Sequence, residues 1–395
     1  MREGNGVSKV AGMMMRAAAL GMLLLCAAGC ALAQDVMQVY AAEGALGSGA
    51  AEQVIRALAA RHPDAVWEYT QGEENLRGLV LADQAPQLAI CSPEEARVWA
   101  AEGMLLPLHT RIGDQRRIQR QVLNACVMDE QLFMAPLQAR HRQMAVNVGL
   151  FEKLRLGHML NRIEYPTWYP TQMQQIMEEC MLSDQIALEI WPPHAGQEAA
   201  LEALVQAVFG GSFASEDGTR WQLDSREIEM GLNWLSDLLE CELIAMAQSR
   251  EDALARFVRG ETAMFIDWSA EEAETQEDAL AKSGVEIAVV PYPSALGVPV
   301  RSYELVGVCV FDSGDAARNA LALQAAERLY EQAQTLLGSR AIFRDDSVWL
   351  TCLSAHEQGA TVRSLFAGAL ESVFAGEMTA ETALERAQAA LDALQ

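Results

Sequence analysis

Alternating strand and helix patterns at the start of the chain constrain its fold more than any other feature. Residues 36–40 alternate in polarity like a strand, and residues 54–58 carry apolar side chains at helical spacing. A second strand is predicted at 65–69, and a third at 87–91 is followed directly by a helix over 93–102. Strands that alternate with helices in this order indicate a parallel sheet with helices on both faces.

The same pattern continues through the rest of the chain. Strands are predicted at 186–190, 285–290 and 305–311, and a long alanine-rich helix at 316–337. A last amphipathic helix ends at residue 394 and begins at Thr379, a residue suited to an N-cap. No internal repeat or low-complexity linker interrupts the pattern, so the sequence predicts an α/β protein.

Residues 1–33 have the pattern of an export signal. An apolar run over 17–33 follows three basic residues, Arg2, Lys9 and Arg16. The run is short and lacks the flanking anchors of a membrane span, which favours a signal peptide. Two processing sites are open: Cys30, which follows Ala-Ala-Gly as in a lipobox and would be lipidated, and ordinary cleavage after Ala33.

Counted over the whole chain, acidic side chains outnumber basic ones. Aspartate and glutamate number 54 against 29 lysine and arginine residues, which gives a formal net charge of −25. Such a surface repels nucleic acid and anionic membrane faces, so we reject both as partners. The hydrophobic content of 51% is enough for sizeable cores and argues against disorder.

The cysteines show neither a metal-site pattern nor a disulfide framework. No two are spaced as C-x-x-C, so a zinc site is not expected. Export would permit disulfides, but the apolar neighbours of most cysteines favour buried free thiols. The six that lie beyond the signal region are Cys91, Cys126, Cys180, Cys241, Cys309 and Cys352.

Hydrolase motifs are missing from the sequence. His356-Glu357 is not followed by the second histidine of a zinc protease helix, and there is no G-x-S-x-G elbow. Glu271 and Glu272 are adjacent, so on a helix they point apart and are expected to be solvated rather than to act as an acid–base pair. We therefore expect no enzyme activity, no catalytic residue, no metal and no cofactor.

Six motifs resemble, in the correct order, those of the extracellular solute-binding protein family 1, the maltose-binding-protein-like proteins. The strongest is Gly260-Glu261-Thr262-Ala263-Met264 with Trp268 four residues on, which resembles the signature of the family's second lobe. The other five are Arg61 to Val66, Gly103 to Leu108, Phe133 to Asn147, Pro166-Thr167-Trp168 and Phe374 to Leu384. Together they cover nearly the whole chain beyond the signal.

The resemblance implies a two-lobe fold of the periplasmic-binding-protein type (type II), with helices on both faces of each sheet. It implies an N-terminal lobe of residues 34–139 and 291–338, and a C-terminal lobe of residues 140–290 and 339–395. Three hinge crossings are expected near Arg140, Pro291 and Arg340. In this family the lobes close around a ligand held in the cleft between them.

Candidate ligand-binding residues come from the resemblance and from strand ends. Trp268 is placed by the resemblance at the family's cleft tryptophan, and Trp191 lies at a predicted strand end. Polar residues follow two other predicted strands, where open α/β sheets bind ligands: Glu43 and Ser48 after the first, and Ser92 and Glu94 after a later one. The alternatives left open are core packing for the tryptophans and helix capping for the polar residues.

Two further candidates lie near the expected hinge. Arg140 could bind a carboxylate or phosphate on a ligand, or form a solvated bend or an interlobe salt bridge. Tyr303 stands where the family often has a glycine pair beside the cleft, which departs from a typical sugar pocket. The sequence alone does not decide whether Arg140 contacts a ligand or forms a structural contact, or what pocket Tyr303 shapes.

The resemblance implies the solute-binding component of an ATP-driven (ABC) importer, exported and anchored to the outside of the membrane through Cys30. The expected ligand is an oligosaccharide-like carbohydrate, and the expected partners are membrane permease subunits of an ABC transporter. We expect a monomer. The alternatives are an anionic solute such as a sugar phosphate or polyol phosphate, and a sensory protein coupled to a membrane receptor.

Overall fold

The computed structural model describes residues 35–394 except for the segments 43–49, 64, 72–75, 83, 109–111, 113–114, 161–166, 194–197, 216–219, 337–346, 351–352, 354–355 and 357. The predicted export signal with Cys30 therefore lies outside the described residues. So do Glu43 and Ser48, and the hinge crossing expected near Arg340.

The first half of the molecule is a sheet of parallel strands with helices between them. Its strands are β1 (Asp35–Ala41), β2 (Ala65–Gln71) and β3 (Leu88–Cys91), followed by the hairpin β4 (Val127–Met128) and β5 (Gln131–Leu132). Its helices are α1 (Ala50–Arg61), α2 (Leu76–Leu81), α3 (Pro93–Ala101) and α4 (Arg120–Ala125). Strand β1 lies between β2 and β3 and is parallel to both.

Two long antiparallel strands connect this half to the second. They are β6 (Ala135–Asn147) and β11 (Val300–Val310). Strand β11 pairs with β3 on one side and with β6 on the other, and β6 then pairs with strands of the second half. The order across the sheet is β2-β1-β3-β11-β6-β9-β7-β8.

The second half contains the remaining strands: β7 (Ile186–Ile190), β8 (Ala245–Met246), β9 (Thr262–Trp268), β10 (Ile287–Val290) and β12 (Val348–Trp349). Its helices up to residue 283 are α5 (Val148–Lys153), α6 (Pro170–Leu182), α7 (Ala199–Phe209), α8 (Arg226–Glu240), α9 (Arg250–Val258), α10 (Ala270–Thr275) and α11 (Glu277–Ser283). Helix α12 (Ala316–Leu336) packs on β6 and β11, and α13 (Gly359–Phe374) and α14 (Ala380–Asp392) follow.

Two separate hydrophobic cores underlie this arrangement. One contains buried residues between 37 and 139 and between 303 and 329, and the other contains buried residues between 144 and 292 and between 350 and 391. Three residues do not pack in the core of their predicted lobe. Tyr292 and Val300, predicted for the N-terminal lobe, lie in the second core, and Trp349, predicted for the C-terminal lobe, lies in the first. The expected α/β fold is confirmed, with two lobes joined by shared strands.

Several local expectations can be compared directly with the structure. The hydroxyl of Thr379 accepts a hydrogen bond from the backbone N–H of Thr382, as expected of an N-cap. Cys91, Cys126, Cys180 and Cys309 are buried free thiols, but Cys241 is exposed, because it follows the last turn of α8 at the surface. Among the described helices, none is both long enough and apolar enough to cross a membrane.

Candidate functional site

The topology directs the carboxyl ends of the parallel strands toward the boundary between the two halves. Strand β3 ends at Cys91, β7 ends at Ile190, and β9 ends at Trp268. Strands β6 and β11 bridge this boundary as a two-stranded ribbon, which we call the hinge ribbon. Open α/β sheets bind ligands in the crevice beyond the carboxyl ends of their strands, so this boundary is the candidate cleft.

The hinge ribbon has two chemically different faces because successive strand residues point to opposite sides. In the ribbon register Glu304 lies opposite Arg140, and Tyr303 lies opposite His141. Arg140, Arg142 and Glu304 therefore share one side, the charged face. His141 and Tyr303 share the other, the aromatic face.

Both arginines of the charged face are paired with carboxylates. Arg140 forms ion pairs with Glu271 of α10 and, with 3.6 Å between Nη2 and Oε2, with Glu304 of β11. Arg142 pairs with Glu304 and with Asp267, near the end of β9. Each arginine therefore bridges the hinge ribbon to the second lobe.

Asp267 is the centre of this network. Its carboxylate accepts from Arg142 through Oδ1 and from Arg250 through Oδ2, and its side chain is almost completely buried. Arg250 also donates to Glu272 at 2.8 Å, and its guanidinium lies 5.6 Å from the centre of the Phe265 ring. One aspartate thus ties two arginines from elements far apart in the chain.

These contacts keep the groups ionised. Burial alone would lower the pKa of the Arg142 guanidinium, but Asp267 and Glu304 outweigh it and raise that pKa above its usual value. Burial would raise the pKa of the Glu304 carboxyl, yet Arg142 and Arg140 hold it below its usual range. The charged face is therefore ionic at neutral pH, with its positive charges matched by carboxylates.

A second group of buried charges lies on α7 and α13. Glu202 accepts from Arg363 at 3.1 Å, and Glu198 lies 3.8 Å from the same guanidinium. Both carboxylates are almost fully buried. Burial raises the pKa of Glu202 to about 7; Arg363 opposes this rise, and Glu198 adds to it.

Two cavities open beside the charged face. One, of about 370 Å³, is bordered by Arg140 and His141 of the hinge ribbon, Trp268 and Glu271 of the second lobe, and Val289 of β10. The other, of about 340 Å³, is more polar and is lined by Arg142, Ala199, Arg250, Asp267, Ser269, Glu271, Glu272 and Thr275. Both are of a size that can hold a small ligand.

The structure brings two of the predicted site residues together. Arg140 and Trp268 line the same cavity. Trp268 is mostly buried, and its ring meets Phe257 and Phe265 in edge-to-face contacts, so only part of it reaches the cavity. Core packing thus describes most of this side chain, and ligand contact by its remaining part stays a prediction.

Ser92 and Glu94 lie at the boundary on the first-lobe side, at the start of α3. The Ser92 hydroxyl accepts from the backbone N–H of Glu95, whose carboxylate in turn accepts from the Ser92 backbone N–H. This capping box is the alternative role that the sequence left open for Ser92. Glu94 is exposed in the first turn of the same helix.

Two predicted residues do not face the charged side. Trp191 has no exposed surface: its ring stacks on Phe265, with 5.7 Å between ring centres, so it is a core residue in this structure. Tyr303 lies on the aromatic face, with its ring 4.9 Å from that of Trp349. The strand-end rule failed for Trp191 because the buried run of β7 continues one residue past the strand.

Sequence reasoning missed most of the ion-pair network. It singled out Arg140 but gave no role to Asp267 or Arg250, and it expected Glu271 and Glu272 to be solvated. Instead these two glutamates point to different arginines, Glu271 to Arg140 and Glu272 to Arg250. A signal did exist, since an aspartate inside an otherwise apolar strand requires a buried partner.

Within the described part of the chain, no cluster of side chains suits a metal ion.

Comparison with known proteins finds similarity in structure but not in sequence. No family model matches the chain, and no curated protein matches it in sequence. Among solved structures, the cyclic alpha-maltosyl-1,6-maltose binding protein from Arthrobacter globiformis aligns with a TM-score of 0.70 at 17% identity, over 91% of this chain and 98% of that chain. The sugar-binding protein MalE from Xanthomonas citri gives a TM-score of 0.70 at 14% identity, over 90% and 96%.

A third relative is the ABC substrate-binding protein Lmo0181 from Listeria monocytogenes, solved in complex with cycloalternan. It aligns with a TM-score of 0.65 at 15% identity, over 91% of this chain and 99% of that chain. At these identities the likeness concerns the fold. The chain therefore has the two-lobe fold of these binding proteins over nearly its whole length.

Proposed function

We propose that this chain is the solute-binding component of an ATP-driven importer and that it holds a carbohydrate in the cleft between its lobes. The observation that carries the proposal is a charged hinge face beside a cavity lined by Trp268, at the boundary toward which strands of both lobes direct their carboxyl ends. Solved sugar-binding proteins with the same fold support it.

The exposure of the charged face favours a neutral ligand over an anionic one. The carboxylate side chains of Glu304 and Glu271 are 47% and 39% exposed, whereas the side chain of Arg140 is only 15% exposed. The arginines thus lie beneath carboxylates that already bind them. A ligand that enters the cleft meets hydrogen-bond acceptors first, which suits sugar hydroxyls and disfavours a phosphate.

Binding would proceed by closure and requires no covalent step. We propose the lobes at residues 34–139 with 291–338 and at residues 140–290 with 339–395, which move about the hinge ribbon. A ligand that touches both lobes stabilises the closed state, because only that state offers both sets of contacts. Glu43, Ser48 and Glu94 would supply the first-lobe contacts, and the second lobe would supply Trp268. No catalytic role is assigned to any residue.

The cellular setting forms part of the same proposal. Residues 1–33 would direct export, and Cys30 would carry the lipid that holds the protein on the outside of the membrane. The closed form would dock as a monomer on permease subunits of the importer. A receptor in place of the permease is the second candidate, and a gene neighbourhood that encodes a permease pair would decide against it.

The first experiment is thermal unfolding of the purified protein against neutral oligosaccharides, polyols and sugar phosphates. A ligand at 100 times its Kd adds about 2.7 kcal/mol, a shift of several degrees. We expect a shift with a neutral sugar and none with a sugar phosphate. Because Trp268 is largely buried, Glu271→Gln is the better test of the site, since it keeps the shape and removes one exposed acceptor charge.

A matched control lies on the same helix. Glu274 is exposed on α10 and lines neither cavity, so Glu274→Gln removes the same charge away from the site. We expect Glu271→Gln to weaken sugar binding by about tenfold, as for one lost charged hydrogen bond, and Glu274→Gln to leave it unchanged. Equal effects of the two variants, or a shift with sugar phosphates alone, would contradict the proposed site.

A further inference from the structure

A third cavity, of about 310 Å³, lies between the lobes away from the charged face. We call it the rear cavity; its polar and aromatic lining includes Gln121, Asn124, Ser212, Gln222, Trp349 and His356. Gln121 and Asn124 belong to α4 of the first lobe, whereas Ser212 and Gln222 belong to the second. The walls of the cavity therefore come from both lobes.

Trp349 places this cavity on the aromatic side of the hinge ribbon. Its ring lies 4.8 Å from that of His141 and 4.9 Å from that of Tyr303, and both residues point away from Arg140 and Arg142. Neither cavity beside the charged face shares a lining residue with the rear cavity. The cavities are therefore distinct but adjacent, because His141 borders the one beside Trp268 and also contacts Trp349.

The walls of the rear cavity are polar and nearly uncharged. Amides, hydroxyls, an imidazole and an indole ring line it, and the one charged lining group among the described residues is the exposed carboxylate of Glu227. Burial, with a smaller contribution from Arg97, lowers the pKa of His356, so its imidazole is neutral at pH 7 and can both donate and accept.

The second-lobe wall is held in position by its own hydrogen bonds. The Gln222 amide nitrogen donates to the carbonyl of Ser212 at 3.1 Å and to that of Ala214 at 3.3 Å. The His356 ring meets the edge of Trp221, with 5.1 Å between ring centres, and the Trp221 indole N–H donates to Gln358 at 2.7 Å. A wall fixed in this way needs little rearrangement to receive a ligand.

We propose that the rear cavity is a second binding site for a small, neutral, polyhydroxylated molecule of about one sugar ring. Its hydroxyls would meet the amide and hydroxyl groups of both lobes, and its C–H surface would lie against the small part of Trp349, 3% of the residue, that the core leaves exposed. Because the walls belong to two lobes, occupancy depends on how the lobes stand relative to each other. Under the proposed closure mechanism, the cleft ligand and the rear ligand would then change each other's affinity by the same factor.

The test uses fluorine NMR of the protein labelled with 5-fluorotryptophan and titrated with D-glucose. Trp349 reports on the rear cavity and Trp268 on the cleft. Trp99, buried against Phe311 in the first core, is the internal control. We expect a saturable shift of the Trp349 resonance and no shift of the Trp99 resonance. A saturable shift at Trp268 alone would overturn the second site and leave the proposed function standing.

Two variants fill the cavity from opposite walls: Ser212→Tyr from the second lobe and Gln121→Tyr from the first. Met230→Tyr, an exposed substitution on α8, is the matched control. We expect both cavity variants to lose the Trp349 response and the control to keep it. Because the two substitutions lie in different lobes, one variant can still test the proposal if the other fails to fold. The proposal is overturned if D-glucose leaves Trp349 unchanged in the wild-type protein, or if a folded cavity variant responds as the wild type does.

Discussion

The charged and aromatic faces of the hinge ribbon are made by alternate residues of the same two strands, yet they are held by different physics. On one face Arg140 and Arg142 meet carboxylates from β11, β9 and α10. On the other face His141 and Tyr303 meet the ring of Trp349. Ion pairs are directional and depend on protonation, whereas ring packing depends on shape and buried area.

This difference suits two mechanical roles. On the charged face each guanidinium contacts a carboxylate that is partly open to the cleft, so a ligand hydroxyl can share an acceptor without breaking the network. On the aromatic face the ring of Trp349 in β12 contacts His141 of β6 and Tyr303 of β11. The ion pairs and the ring packing are thus kept on opposite sides of the hinge ribbon.

The largest effect is expected from Asp267→Ala, which tests the charged face at its centre. The change leaves the mostly buried guanidinium groups of Arg142 and Arg250 without their shared carboxylate, and breaking such a buried pair typically costs about 3–5 kcal/mol. Urea unfolding measures it. The control is Glu331→Ala, which removes the partner of exposed Arg328 and should cost less than about 1 kcal/mol. Similar losses in both variants would mean that the network does not stabilise the hinge.

Trp349→Ala tests the aromatic face and should cost about 3 kcal/mol, as for a buried aromatic ring removed from a core. Trp349→Phe keeps a ring against His141 and Tyr303 and should recover most of that loss. Chemical unfolding at one pH compares the three proteins. If the alanine variant were as stable as the wild type, the ring of Trp349 would not stabilise β12 against the hinge ribbon.

The two faces also differ in how far sequence could predict them. The succession of strands and helices along the chain follows from local patterns, whereas the two-lobe fold and the placement of Trp268 beside a cavity were implied by the family resemblance. The partners of the charged face do not, because Arg142 and Asp267 are 125 residues apart and no periodicity links them. Among 54 acidic residues, local spacing cannot show which ones are paired. Trp191 shows that a local pattern can also mislead. Its position at a strand end predicted a place in the cleft, but its ring is buried in the core.

The next effect concerns the pH dependence of the buried charges on α7. The folded-state pKa of Glu202, about 7, lies above the ordinary value near 4.5, so the folded protein holds this proton more tightly than the unfolded chain does. Stability from this group is therefore greatest at low pH and is lost as pH rises toward and through 7. Between pH 5 and 8 the loss should be about 2 kcal/mol. Glu202→Gln should remove this slope; a slope unchanged in the variant would assign it to another group.

The smallest effect is expected on the first-lobe side of the cleft, where Ser92 caps α3 and where a ligand contact was one reading of the sequence. Ser92→Ala removes the acceptor for the Glu95 N–H and should cost about 1 kcal/mol of stability. Ser92→Asp keeps a capping oxygen and should restore most of it. Sugar affinity, measured on the same proteins, separates the two roles: a cap alone predicts unchanged affinity in a folded Ser92→Ala protein. A large loss of affinity would add Ser92 to the residues that hold the ligand opposite the charged face.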